Sequence, residues 1–193
     1  MFEVRQLSEN LKIGFLRLDK FSSEENVHSR REAEKKGAQY LLKQLFPEEE
    51  IKLLYHANGK PYAENKNCGI SISHSHHLLA ILVDQKSHHT GLDVELIRDK
   101  VLKIRSKFLS EKEMEHVPEQ NVIMHLMAWC VKETIYKIYA EGMLDFRENI
   151  IIEPFQENSE IIMAHCHTDR TCFTKKIKIS RMDEYLMAWP VEE

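Results

Sequence analysis

Gly91-Leu92-Asp93-Val94-Glu95-Leu96, and further on Trp129-Cys130-Val131-Lys132-Glu133-Thr134-Ile135-Tyr136-Lys137, decide how this chain is read. Residues two apart on a strand point to one face, so Asp93 and Glu95 project together while Leu92, Val94 and Leu96 pack behind them. Adjacent carboxylates repel unless a cation sits between them. Mg²⁺ suits the position: it prefers carboxylate oxygens, keeps several waters and is often completed by phosphate oxygens. On a helix Glu133 and Lys137 lie one turn apart, so one face offers a third carboxylate and an ammonium group. Three acids and a lysine suggest a metal-assisted phosphate site. Each piece alone has a plainer reading. A D-x-E strand is commonly just a solvated face, and a Glu–Lys pair at i,i+4 is a surface pair worth about 0.2–0.5 kcal/mol.

The other strand and helix patterns are arranged around these two stretches. Residues 2–7 and 12–18 alternate apolar and polar positions as strands do, and 23–45 turn helical through Ala33, Tyr40, Leu41, Leu42 and Leu45. Pro47 with the acidic run 48–50 closes that helix, and Asn58-Gly59-Lys60-Pro61 is a turn. Short strands are expected at 70–73, 78–83 and 91–96, a strong helix over 122–141 ending at Gly142, and strands at 149–155, 160–166, 175–181 and 185–191. Ile72-Ser73 before Leu78-Leu79-Ala80 faintly echoes Ile179-Ser180 before Leu186-Met187-Ala188. Coincidence explains that echo at least as well as a repeat does. The expected class is α+β, with the acidic strand near the junction of two halves, 1–90 and 91–193.

Composition narrows the functional classes. At 193 residues the chain can bury a core, and a net charge of −4 argues against a nucleic-acid binder relying on a basic field. No apolar run reaches the roughly 18–20 residues of a membrane span. The start, Met1-Phe2-Glu3-Val4-Arg5-Gln6-Leu7, lacks the pattern of a secretion signal. Cysteines 68, 130, 166 and 172 show no CxxC spacing, which fits reduced thiols in the cytoplasm.

In this order the motifs resemble those of the surfactin-type branch of the 4′-phosphopantetheinyl transferase superfamily. Gly59-Lys60-Pro61 is similar to its GKP turn, and Ile72-Ser73-His74-Ser75 to its (N/I)SHS strand end, followed by Ala80. Gly91-Leu92-Asp93-Val94-Glu95 resembles G-(I/V)-D-(I/V)-E, and Lys107-Phe108-Leu109-Ser110-Glu111-Lys112-Glu113 resembles F-F/L-S-x-x-E. Trp129-x-x-Lys132-Glu133-x-x-x-Lys137 is similar to W-x-x-K-E-x-x-x-K.

The resemblance implies two similar α+β halves in one chain, related by a pseudo-two-fold, with coenzyme A and Mg²⁺ in the cleft between them. It implies transfer of phosphopantetheine from coenzyme A to a serine hydroxyl of an acyl or peptidyl carrier protein, releasing 3′,5′-ADP. Asp93, Glu95 and Glu133 would hold Mg²⁺, Lys137 would contact the same phosphates, and Glu133 would also be the general base. Ser73 and His74 would bind the 3′-phosphate. Lys60 and Pro61 would border the adenine, and Lys132 and Arg31 would be further coenzyme A contacts. By analogy with the family a monomer is expected, and the charge, hydropathy and cysteine pattern above lead to the expectation of a cytoplasmic protein with no nucleic acid or membrane partner.

Two departures stand out. Gln39 occupies the place of an arginine expected before Tyr40-Leu41-Leu42, leaving Arg31 or Lys35 to supply charge, and His76-His77 replaces a small-residue loop. The basic cluster Arg30, Arg31, Lys35, Lys36 and Lys43 is a solvated helix face or a landing surface for an acidic carrier. Two other readings stay open. One is a non-catalytic module of the same fold that binds coenzyme A or a carrier. The other is a zinc hydrolase using His74, His76, His77, His88 and His89, although these lack a helical i,i+4 pair and no HExxH is present. His165-Cys166-His167 with Cys172 is a weaker zinc candidate.

Overall fold

Alternating side chains in the first eighteen residues build β1 (Phe2–Gln6) and β2 (Leu11–Arg17), paired antiparallel with Phe2 opposite Leu16. β2 in turn pairs with β6 (Leu78–Asp84), and β6 with β5 (Gly69–Ser75), giving a four-stranded antiparallel sheet in the order β1-β2-β6-β5. The computed structural model describes residues 1–192. Within them the chain divides into two compact units, Met1–Val94 with Glu192, and Glu95–Val191. The whole is a mixed α+β fold of sheets and helices. No helix among the described residues is long and apolar enough to cross a membrane.

In the first unit the helix expected over 23–45 begins only at Arg30, as α2 (Arg30–Leu45), and a separate short helix, α1 (Leu18–Glu24), precedes it. Asn26 adopts a left-handed φ of 52° between them, and the Ser29 hydroxyl accepts a hydrogen bond from the Glu32 N–H to start α2 afresh. Such a cap stabilises a helix by about 0.5–2 kcal/mol. α2 buries Ala33, Gly37, Ala38, Leu41, Leu42 and Leu45. It lies close to β2, because a side chain at Gly37 would meet Leu16 and Leu18 at 3.0 Å. A small hairpin follows: β3 (Leu53–Tyr55) and β4 (Pro61–Ala63), turned at Gly59 with φ +83°.

The division falls inside β7 (Asp93–Leu96), between Val94 and Glu95. A 3-10 helix (Asp99–Lys107) and the single turn α3 (Glu111–Met114) precede the long α4 (Val122–Tyr139). α4 ends on Ala140 in the left-handed conformation, two residues before the glycine expected to stop it. β8 (Ile150–Ile152), β9 (Ile161–His167), β10 (Cys172–Met182) and β11 (Tyr185–Pro190) complete an antiparallel meander in a five-stranded sheet ordered β7-β11-β10-β9-β8. Alternate residues Ile162, Ala164 and Cys166 of β9 are buried with Val131 and Ile135 of α4 in one core. The echo between the two halves is one of hairpin and not of register: Ser73 pairs with Ala80, whereas Ile179 pairs with Ala188.

Candidate active site

The approach to β7 is held by serines. Ser71 and Ser73 alternate along β5 and are both buried, 3% and 6% exposed. Their hydroxyl oxygens accept from the Leu92 N–H (2.8 Å) and the Val94 N–H (3.1 Å). Two side chains thus do for this segment what a strand ladder does elsewhere. Ser73 also donates its hydroxyl proton to Asp93 Oδ1 at 3.0 Å. A serine has one proton to give, and here Asp93, only 4% exposed, receives it. As placed, Ser73 therefore orients Asp93 and has no proton for the 3′-phosphate expected of it.

The second acid of β7, Glu95, accepts the Trp129 indole N–H at Oε1, 3.1 Å away. Trp129 lies on α4 with its ring stacked on Phe146 (5.6 Å, 18°) and edge-on to Phe108 (5.1 Å, 65°). Glu133 and Lys137 follow one and two turns later on α4, both half-buried.

Lys132, expected among the coenzyme A contacts, needs correcting. Its side chain is completely buried and its three ammonium protons go to Glu113 Oε2 (2.7 Å), Phe146 O (2.7 Å) and Ile150 O (2.6 Å). No donor remains for a phosphate. Burial pulls its pKa below the usual lysine value, opposed by the Glu113 charge. Glu113 is the residue whose part the sequence reading overlooked. Its Oε2 accepts the Ser110 N–H and its Oε1 the Ile152 N–H, while Ser110 caps the Glu113 N–H in return. The F-F/L-S-x-x-E segment is thus a capping box whose glutamate joins α3, α4 and β8 through a buried ion pair. A signal for this was present: Lys132 falls four after Ala128 and three before Ile135, on the stripe that α4 buries.

In the first unit, Lys60 is half-buried at the β3–β4 turn beside Pro61, and desolvation lowers its pKa. His74 is 42% exposed, with Nδ1 3.4 Å from Glu34, which also receives Arg30 at 2.8 Å. Gln39 is not an idle replacement. Its amide donates to Ile51 O and accepts from Leu53 N, both at 2.9 Å, pinning β3 to α2. The basic cluster on α2 is partly neutralised, since Lys36 pairs with Glu32 at 2.7 Å. Arg31, Lys35 and Lys43 have no ion pair among the described residues. Lys35 and Lys43, with Phe21, Tyr40, Leu53 and Tyr55, line a cavity of about 630 Å³.

For a metal ion the donor chemistry of Asp93, Glu95 and Glu133 fits Mg²⁺, because all three offer hard oxygens. Among the described residues no group of three or more His, Cys, Asp or Glu side chains is placed to hold a metal ion. Mg²⁺ does not require such a group: it is usually held by one or two carboxylates, with waters and substrate phosphates completing the shell. The histidines are engaged otherwise. His88 meets Asn67 at 2.9 Å, the rings of His76 and His77 lie 3.9 Å apart, and His165 bridges Thr174 and Glu153. The Cys172 thiol lies 3.1 Å from Nδ1 of His167.

Residues 89–190 match the 4′-phosphopantetheinyl transferase superfamily. No curated protein matches the chain. The matched stretch carries β7, the capping box and the Trp129–Lys137 segment, and it is more than half of the sequence. The chain belongs to the 4′-phosphopantetheinyl transferase superfamily.

Proposed function

We propose that the protein transfers the 4′-phosphopantetheine group from coenzyme A to a serine hydroxyl of an apo acyl or peptidyl carrier protein, with Mg²⁺, and releases 3′,5′-ADP. The observation that carries this reading is the family match over residues 89–190, which contains Asp93, Glu95, Glu133 and Lys137 together. The two-half, surfactin-type arrangement is part of the proposal. It is supported by two compact units, each a sheet with one long helix packed on it.

Asp93, Glu95 and Glu133 would hold the ion against the pyrophosphate of coenzyme A. When bound, Mg²⁺ supplies charge neutralisation at the leaving oxygen and polarises the phosphorus under attack. Lys137 would add a point charge to the same phosphates. Glu133 would take the proton from the carrier serine as its oxygen bonds to the phosphorus bearing pantetheine. The bond from that phosphorus to the bridging oxygen breaks, and 3′,5′-ADP departs. His74, Lys60 and Arg31 would contact the 3′-phosphate and the adenine, with Pro61 stiffening the turn. Ser73 serves Asp93 instead, and Lys132 serves the fold.

Arg31, Lys35 and Lys43 are the cations that would steer an acidic carrier to α2. One chain would carry one complete site, as a cytoplasmic monomer. Incubating the protein with coenzyme A, Mg²⁺ and an apo carrier, then weighing the carrier, tests the transfer. Binding of coenzyme A without any mass gain would favour the non-catalytic reading.

A further inference from the structure

Carboxylates on a strand end are mobile groups, glutamate more so because it has three rotatable bonds. Each acid of β7 is nonetheless met by a donor from a different element. Ser73 on β5 gives its proton to Asp93 Oδ1 (3.0 Å), and Trp129 on α4 gives its indole N–H to Glu95 Oε1 (3.1 Å). Neither donor is free to wander. Ser73 is fixed by the Val94 N–H it accepts and by its own burial. Trp129 is clamped by Phe146 and Phe108, which set the plane of the indole and hence the direction of its N–H. A part-buried indole N–H needs an acceptor, and the one it meets here is a carboxylate of β7.

We infer that Trp129 and Ser73 are positioning residues, which hold Glu95 and Asp93 in the orientation that binds a divalent cation before cation and coenzyme A arrive. This rests on the transferase reading above. Hydrogen bonds to ligand carboxylates act in this way generally, and their loss typically costs about 10–100-fold in metal affinity or activity. Trp129 thus has two separable jobs. Its ring packs, and its N–H orients.

Trp129→Phe keeps an aromatic ring and removes the N–H, so it is the discriminating variant. Mn²⁺ binding followed by electron paramagnetic resonance, with and without coenzyme A, is expected to weaken about 10–100-fold while the melting curve stays in place. Turnover titrated with Mg²⁺ is expected to show a raised KM for the ion and a smaller fall in kcat. Ser73→Ala is expected to weaken Mn²⁺ binding likewise and Ser73→Thr to restore it, because threonine keeps the hydroxyl. That pair decides the matter should Trp129→Phe fail to fold. Unchanged Mn²⁺ affinity in folded Trp129→Phe and Ser73→Ala, with wild-type transfer intact, overturns the positioning roles and leaves the transferase reading standing. A wild-type protein that neither binds Mn²⁺ nor transfers phosphopantetheine overturns both.

Discussion

The two units each bury a carboxylate among polar partners, and they do so to different ends. In the second unit Glu113 and Lys132 form a closed set, with the ammonium group and both carboxylate oxygens satisfied by α3, α4 and β8. In the first unit Asp93 is brought by Ser71 and Ser73 to the start of β7, two residues before Glu95. The first arrangement ties elements to one another. The second delivers a side chain to an address. Burial and charge alone do not tell such clusters apart; the destination of each proton does.

That contrast is breakable by mutation. The largest effect is expected from Glu133→Ala, which removes a proposed ligand and base. Turnover should fall about 10²–10⁴-fold, with melting and circular dichroism close to wild type. Lys132→Met should do the reverse. Leaving Glu113 buried without its partner should destabilise the fold by about 3–5 kcal/mol, read as a lower denaturant midpoint. The double variant Lys132→Met with Glu113→Leu should recover part of that loss, since no orphaned charge remains. A Lys132→Met protein as stable as wild type would erase the distinction between the clusters.

Gln39→Ala sharpens the comparison inside the first unit. It strips the Ile51 carbonyl and the Leu53 N–H of their partner, at a cost of about 1–3 kcal/mol, and hydrogen exchange should quicken at β3 first. The smallest effect concerns pH. Desolvation lowers the Lys60 pKa in the folded state below the ordinary lysine value of 10.5. The unfolded chain then binds more protons in the window between the lowered pKa and 10.5, so this group makes stability rise with pH there. Lys60→Met should remove that slope in the difference between variant and wild-type unfolding curves.

Much of the architecture was legible because strand and helix periods are local. The continuous apolar run of 78–83 and the long apolar stripe of 122–141 became β6 and α4 with small boundary shifts. The break at 25–29 was not, since it depends on Asn26 turning left-handed and Ser29 capping a new start. Motif order located the acids and the family. The resemblance carried Lys132 and Ser73 into the coenzyme A site as members of matched motifs, and membership of a motif does not say which way a side chain faces. One residue along a helix turns a side chain by about 100°, so Lys132 faces the core while its neighbour Glu133 is only half-buried. The ring of hydrogen bonds that fixes Ser73 joins residues twenty apart and has no local sequence pattern.

The central claim is chemical transfer to a carrier, and the mass of that carrier tests it most directly. With coenzyme A and Mg²⁺, the account predicts that an apo carrier gains one phosphopantetheine group on its serine, matched by an equal amount of 3′,5′-ADP, and that chelating the metal stops the gain. A carrier that stays at its apo mass across acyl and peptidyl types, with folded enzyme and saturating coenzyme A, would contradict it.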